Sequence, residues 1–159
     1  MTSSPSPGIV DHAGMTIYEF LPTPPVETAT DPIGSPADLR QRWRALVEPL
    51  GFGERLLRFV FVGPDRRIIK ALSEVPVAKR ASPGLVRDLM TALHGIVAED
   101  QLAVAFLLTR PGRGGPTADD KQWSTLLTRA AAEFGVPIEP VFMANDERLV
   151  AVQPARQVR

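Results

Sequence analysis

The sequence predicts a single α/β domain in which helices pack on a mixed β-sheet, giving a three-layer-like arrangement. Three observations support this fold class. Helical and strand-like hydrophobic patterns alternate along the chain, one strand pattern is apolar throughout, and 159 residues are enough to build one sizeable core. We predict the element order α-β-β-α-β-α-β-β within residues 35–153, with an N-terminal tail at 1–34 and a C-terminal tail at 154–159.

A helix and a hairpin are predicted in the first half of the domain. Ser35-Pro36 is typical of a helix start, and Asp38 stands where the acid of a capping box would. The apolar residues that follow share one helix face: Leu39, Trp43, Leu46, Val47 and Leu50. β-Branched and aromatic residues over 56–62, a turn at 63–66 and Ile68-Ile69 predict two antiparallel strands.

Two further helices and a buried strand are predicted in the second half. Ser82-Pro83 starts a helix with one apolar face: Leu85, Val86, Leu89, Leu93, Ile96 and Val97. The run 102–108 is apolar throughout, as expected of a strand buried on both faces. Thr117 and Asp120 indicate the start of the third helix, and Gly135 indicates its end. Its core face carries Trp123, Leu126, Leu127, Ala130, Ala131 and Phe134.

A closing hairpin is predicted at the end of the domain. Residues 138–143 and 149–152 are strand-like, and they flank Asn145-Asp146. With Glu147, these residues form an acidic cluster that is more typical of a solvated turn than of an acid–base pair.

The N-terminal tail is expected to be disordered and acidic. It is rich in proline, serine and threonine, and it contains four acidic residues but no lysine or arginine. The rest of the chain has 18 basic and 14 acidic residues (18 − 4), so the tail could engage a basic domain, its own or another. Within the tail, residues 15–21 form an alternating, strand-like stretch. This segment either adds to a sheet as an edge strand or docks on a partner, or it is an adhesive segment of a disordered tail.

The composition excludes several function classes. The chain has no cysteine, so disulfides and cysteine-based zinc sites are excluded. Its basic residues are scattered rather than clustered with aromatic residues, and we therefore do not expect nucleic-acid binding. The N-terminus lacks the pattern of a signal peptide, and no run approaches eighteen apolar residues, so we expect a cytoplasmic protein with no membrane association.

The glycine-rich stretch LLTRPGRGGPTADD, residues 107–120, is the main candidate for a ligand site. Backbone N–H groups at a helix N-terminus, with arginines alongside, are typical of an anion site. The pattern is neither a P-loop nor a dinucleotide fingerprint. The other interpretation is a surface connection that only turns the chain. The candidate ligand-binding residues are Arg110, Gly112, Arg113, Gly114, Gly115 and Thr117.

Catalytic chemistry has little support in the sequence. The two histidines are His12, in the tail, and His94, on the second helix, and neither has a fixed partner in the sequence. No nucleophile-elbow pattern is present. We therefore assign no catalytic residue, no metal ligand and no cofactor.

Three stretches resemble the JAB/MPN fold of RadC-type proteins: VGPDRRII at 62–69, SPGLVRDL at 82–89 and the glycine-rich stretch at 107–120. The family's two zinc-binding histidines correspond to Leu108 and Arg110 here, its aspartate lies near Asp119 and Asp120, and Glu54 stands near the place of its general base. Leucine has no donor atom and a guanidinium cannot ligate a cation. The resemblance therefore implies a fold without the metallopeptidase chemistry.

The chain also resembles a group of small actinobacterial proteins that share the stretches DPIGSPADL…RW, PLGFGERLL and GPDRR. This resemblance covers most of the domain and implies no particular activity.

The sequence therefore predicts a non-catalytic α/β domain that acts through protein–protein contacts, with a protein partner or by self-association. The alternative is binding of a small anionic ligand or nucleotide at the 109–117 loop. A metal-dependent peptidase is the third class.

Overall fold

A computed structural model describes residues 22–154 of the chain. The order of its helices and strands confirms the predicted α-β-β-α-β-α-β-β order, preceded by a short 3₁₀-helix. The elements are the 3₁₀-helix Val26–Thr30, α1 Pro36–Val47, β1 Leu56–Val62, β2 Ile68–Pro76, α2 Pro83–Asp100, β3 Ala103–Thr109, α3 Ala118–Phe134, β4 Phe142–Ala144 and β5 Leu149–Ala151.

The five strands form one mixed sheet in the order β2-β1-β3-β4-β5. Both predicted hairpins are present, because β1 pairs with β2 and β4 pairs with β5 in antiparallel orientation. Between them, β1 and β3 are antiparallel, and β3 and β4 are parallel. Helix α3 makes the crossover that a parallel pair requires.

Each face of the sheet is covered by its own hydrophobic cluster. Successive residues of a strand point to opposite faces, so Leu57 and Phe59 join one cluster while Val60 and Val62 join the other. The first cluster packs under α2 and α3, and the second packs under α1. The central strands β1 and β3 are therefore buried on both faces, as the apolar run at 102–108 predicted.

Helix ends follow the signals in the sequence, with one difference. The side chains of Ser35, Ser82 and Thr117 each accept a hydrogen bond from the N–H three residues on, and Gly135 ends α3 with a left-handed φ of 70°. Asp38, however, accepts its hydrogen bond from the N–H of Gly34 rather than from that of Ser35.

Ordered packing begins before the predicted boundary at Ser35. Ala29 and Ile33 are buried, and the N–H of Ile33 donates to the carbonyl of Arg66. The side chain of Arg67 donates to the carbonyl of Thr30, so the hairpin turn holds this segment at two points. Residues 22–34, which the sequence assigned to the tail, are therefore part of the described structure, and Ala29 and Ile33 pack within it. Residues 1–21, with the strand-like stretch at 15–21, and residues 155–159 lie outside the described part of the chain.

Strand β2 is much longer than the predicted Ile68-Ile69 and is the most exposed strand. It lies at one edge of the sheet, pairs only with β1, and buries Ile68 alone among its nine residues. Within residues 22–154, no helix has the length and apolar character needed to cross a membrane.

Candidate functional site

Two loops meet at the end of the sheet where the parallel strands β3 and β4 finish. The carboxyl ends of parallel neighbours lie at the same edge of a sheet, and ligands of α/β proteins often bind there. The glycine loop, residues 110–116, follows β3, and the acidic turn, residues 145–148, follows β4. The N–H of Arg110 donates to the carbonyl of Ala144 at 3.0 Å, which continues the strand pairing into the two loops.

The first predicted ligand residue, Arg110, is engaged in a buried ion pair. Its Nε and Nη2 donate to the two carboxylate oxygens of Asp120 at 2.9 and 2.7 Å. Asp120 belongs to the capping box of α3, since it also accepts the N–H of Thr117 at 2.8 Å. Arg110 is only 5% exposed, and Asp120 only 1%. This guanidinium therefore braces the start of α3 rather than facing solvent.

The pKa of Asp120 reflects these contacts. Burial raises the pKa of a carboxyl group, because it penalises the charged form. The hydrogen bonds from Arg110 and Thr117, together with the charge of Arg110, outweigh this effect, so the pKa of Asp120 lies below its ordinary value of 3.8. Asp120 is therefore held as a carboxylate in the folded state.

The backbone of the glycine loop already holds carboxylates, and they come from the acidic turn. The N–H of Gly112 donates to Asp146 at 3.0 Å, and the N–H of Gly114 donates to Glu147 at 2.6 Å. Arg113 adds a contact of 3.3 Å to Glu147, although its side chain is 81% exposed. The bond from Gly114, helped by Arg113, lowers the pKa of Glu147. The groups expected to bind an external anion thus bind two side chains of the chain itself.

Asn145 locks the two loops together. It is fully buried, its side-chain amide donates to the carbonyl of Gly114 at 2.8 Å, and its side-chain carbonyl accepts the N–H groups of Glu147 and Arg148. The sequence marked Asn145 only as a turn residue. No local sequence pattern indicates its contact with a glycine 31 positions away.

The remaining predicted residues have separate roles. Thr117 uses both its N–H and its hydroxyl in the capping box. Gly115 has nothing within 4 Å of the position that a Cβ would take. The structure therefore brings Gly112, Arg113 and Gly114 together on the acidic turn, and it turns Arg110 and Thr117 toward Asp120.

Sequence reasoning missed Arg55 at this end of the sheet. Arg55 precedes β1, whose first residue Leu56 pairs with Thr109, so it lies next to Arg110. Burial and the charge of Arg110 lower the pKa of Arg55. Its Nη1 is buried without a hydrogen-bond partner among the described residues. The sequence indicates that Arg55 precedes a strand. It does not indicate that this strand pairs with β3, because that pairing is set by the tertiary structure.

The positions that the JAB/MPN resemblance matched to metal ligands do not come together. Leu108 is buried inside β3, Arg110 holds Asp120, and Asp119 lies 4.0 Å from Lys79. His94 lies near Gly135, at the far end of α3, and His12 is outside the described residues. In the described part, no three histidine or acidic side chains are grouped as metal ligands would be.

The second candidate site is the β2 edge, defined as residues 68–76 on the side away from β1. That side has no strand partner among residues 22–154. Ile69 and Leu72 are 46% and 39% exposed, two of the four large apolar side chains that the described chain leaves exposed. A long edge strand with exposed apolar side chains is a template for pairing with another strand.

Protein-family models and curated proteins were both compared with the chain, and none matches it. The two resemblances described from the sequence therefore stay predictions.

Proposed function

We propose that this chain is a non-catalytic α/β domain that binds protein through the β2 edge. One observation carries the proposal: a nine-residue strand lies at the edge of the sheet, and six of its nine residues are exposed. Proteins usually blunt or cover such edges, because unpaired N–H and C=O groups recruit other strands. The outer side of β2 has no strand partner among residues 22–154 and is suited to recognition by strand addition, in which the backbone supplies affinity and alternate side chains supply specificity.

The neighbouring residues make the β2 edge a firm platform. Strand β1 is buried on both faces and pairs along its full length with β3, so the sheet behind β2 is rigid. Arg58 of β1 holds Glu74 of β2 at 3.2 Å and lies over the ring of Phe52. A partner strand would therefore add to a fixed surface and would not have to order β2 itself.

The glycine loop supports the same function less directly. Its cations and N–H donors are engaged by Asp120, Asp146 and Glu147. Such internal pairing stabilises the end of the sheet, whereas the outer side of β2 has no strand partner among residues 22–154.

The proposal is tested by placing a photo-activated cross-linking amino acid at Ile69 of the full chain, in the cells that make it. Ile96, on α2, is the matched control, because both isoleucines are 46% exposed. We expect a protein adduct from position 69 and none from position 96. Adducts at both positions, or at neither, would contradict recognition through the β2 edge.

The alternative function, binding of a small anionic ligand at the glycine loop, is favoured by one observation. The Nη1 of Arg55 is buried and has no hydrogen-bond partner among the described residues. An anion at this end of the sheet would satisfy it. The alternative has less support, because a ligand that used the N–H groups of Gly112 and Gly114 would first have to displace Asp146 and Glu147.

A further inference from the structure

We infer that the partner of the β2 edge is a second copy of this chain, paired antiparallel about a two-fold axis at Leu72. The inference rests on the proposed use of the β2 edge and names its occupant. Two copies would join their five-stranded sheets into one continuous sheet of ten strands. Most soluble oligomers are closed dimers of this symmetry, in which one patch contacts itself.

Symmetry restricts the register of such a pair. A two-fold axis perpendicular to the sheet keeps the same face uppermost in both copies. Residues that point to the same face alternate along a strand, so the axis must pass through a residue rather than between two residues. The candidate centres near the middle of β2 are Ala71, Leu72 and Ser73.

Only the register centred on Leu72 places opposite charges across the pair. Residues equally distant from the centre then face each other, so Lys70 of one copy lies opposite Glu74 of the other, twice per dimer. Cross-strand pairs of opposite charge stabilise a sheet, and like charges directly opposite destabilise it. A centre at Ala71 would place Glu74 opposite Ile68, and a centre at Ser73 would place Lys70 opposite Pro76.

The apolar residues of β2 fit the same register. Leu72 meets its own copy on the axis, and Ile69 lies opposite Val75. Both Leu72 and Ile69 are exposed in the single chain. Lys70 is also exposed and forms no ion pair within residues 22–154, whereas Glu74 keeps nearly half of its side chain exposed beside Arg58.

A β-bulge in β2 lies within this register. Between the pairs Phe59–Ser73 and Phe61–Ile69, β2 has three residues, 70–72, where β1 has only Val60. A bulge leaves extra residues without a partner, bends the strand and increases its twist. Ile69 and Ser73, on either side of the bulge, pair with Phe61 and Phe59, which point to the same face, so the alternation of faces that sets the register is kept across the bulge.

The charge pattern allows a decisive experiment on the full chain, with its mass measured by sedimentation across a dilution series. We expect a dimer for the wild type. Lys70→Glu places glutamates opposite each other, and Glu74→Lys places lysines opposite each other, so each variant alone should dissociate at about tenfold higher concentration or more. An equal mixture of the two variants should form a heterodimer, because every facing pair is again of opposite charge.

The controls separate dimer contacts from folding. Lys121→Glu makes the same charge change at an exposed position of α3 and should leave the dimer intact. Glu74→Lys also removes the contact with Arg58 inside the chain, so the melting temperature of each variant is measured. The mixture restores the facing charges but not that internal contact, so recovery of the dimer in the mixture cannot come from refolding.

The register has its own test, because the chain contains no cysteine. Directly opposite residues of antiparallel strands have Cα atoms about 4.5–5.5 Å apart, which is within disulfide range. Leu72→Cys should therefore form an intermolecular disulfide under mild oxidation, and Ile96→Cys should not. A wild type that stays monomeric would overturn the inference. A dimer whose dissociation is the same in all these variants would also overturn it. If the chain is a monomer and position 69 still cross-links to another protein, the second copy is ruled out as the partner, but the proposed function stands.

Discussion

Arg110 and Asp120, ten positions apart in the sequence, form a buried two-pronged ion pair at the start of α3, with N–O distances of 2.9 and 2.7 Å. Removing one partner of a buried pair leaves the other charge uncompensated, which typically costs about 3–5 kcal/mol. We therefore expect Arg110→Ala to lower the free energy of unfolding by about that amount in urea titrations. Arg113→Ala, in the same loop but 81% exposed, should cost less than about 1 kcal/mol. Similar losses in the two variants would show that burial of Arg110 is not what stabilises the loop.

The same carboxylate predicts how stability depends on pH. The pKa of Asp120 is lowered below 3.8 in the folded chain, so around that pH the unfolded chain binds more protons. The stabilisation by Asp120 is therefore complete above about pH 4 and is lost as the pH falls through the folded-state value. We expect the difference in unfolding free energy between wild type and Asp120→Asn to shrink as the pH is lowered below about 4. Urea titrations at a series of pH values measure it, and a constant difference would speak against a charged Asp120 in the folded state.

Two glycines of one loop should respond differently to alanine. Gly112 has a φ of 111°, and a Cβ there would lie 3.1 Å from Nη1 of Arg110. Backbone strain of this kind costs on the order of 1–3 kcal/mol, so Gly112→Ala should lower the melting temperature clearly. Gly115→Ala meets nothing within 4 Å and should leave the melting temperature nearly unchanged. The reverse order would mean that the loop does not hold this backbone geometry in solution.

Phosphate should have no specific effect on the wild type. Ligands that bind only the folded state raise its melting temperature, but the N–H groups of Gly112 and Gly114 are occupied by Asp146 and Glu147. We therefore expect phosphate to shift the melting temperature no more than chloride does at equal ionic strength. A phosphate-specific rise that disappears in Arg113→Ala would instead favour the anionic-ligand alternative.

The hydrophobic pattern predicted the element order because the central elements bury their side chains. Strand β3 is apolar in sequence and buried in the fold, and the caps at Ser82 and Thr117 are local signals that need no tertiary knowledge. Strand β2 was underestimated because an exposed edge strand has no apolar periodicity to detect. Only Ile68-Ile69 stood out, although the strand runs to Pro76.

The candidate site was harder to predict because its contacts join distant segments. Thr117 and Asp120 indicated a helix start, but nothing local indicated that Arg110 would fold back onto Asp120. The acidic turn was interpreted as solvated, whereas Asp146 and Glu147 hold the glycine loop. Burial of Ala29 and Ile33 was missed for the same reason, since their environment is supplied by residues far along the chain.

The hydrogen bonds between the glycine loop and the acidic turn constrain how these two segments can change in evolution. Asn145, Asp146 and Glu147 each form a hydrogen bond with the glycine loop, which joins segments more than thirty positions apart. An insertion or deletion in one segment would leave the polar groups of the other segment without their hydrogen-bond partners. Among homologous sequences, the lengths of these two segments should therefore change together, and loss of the glycines should accompany loss of the acidic residues.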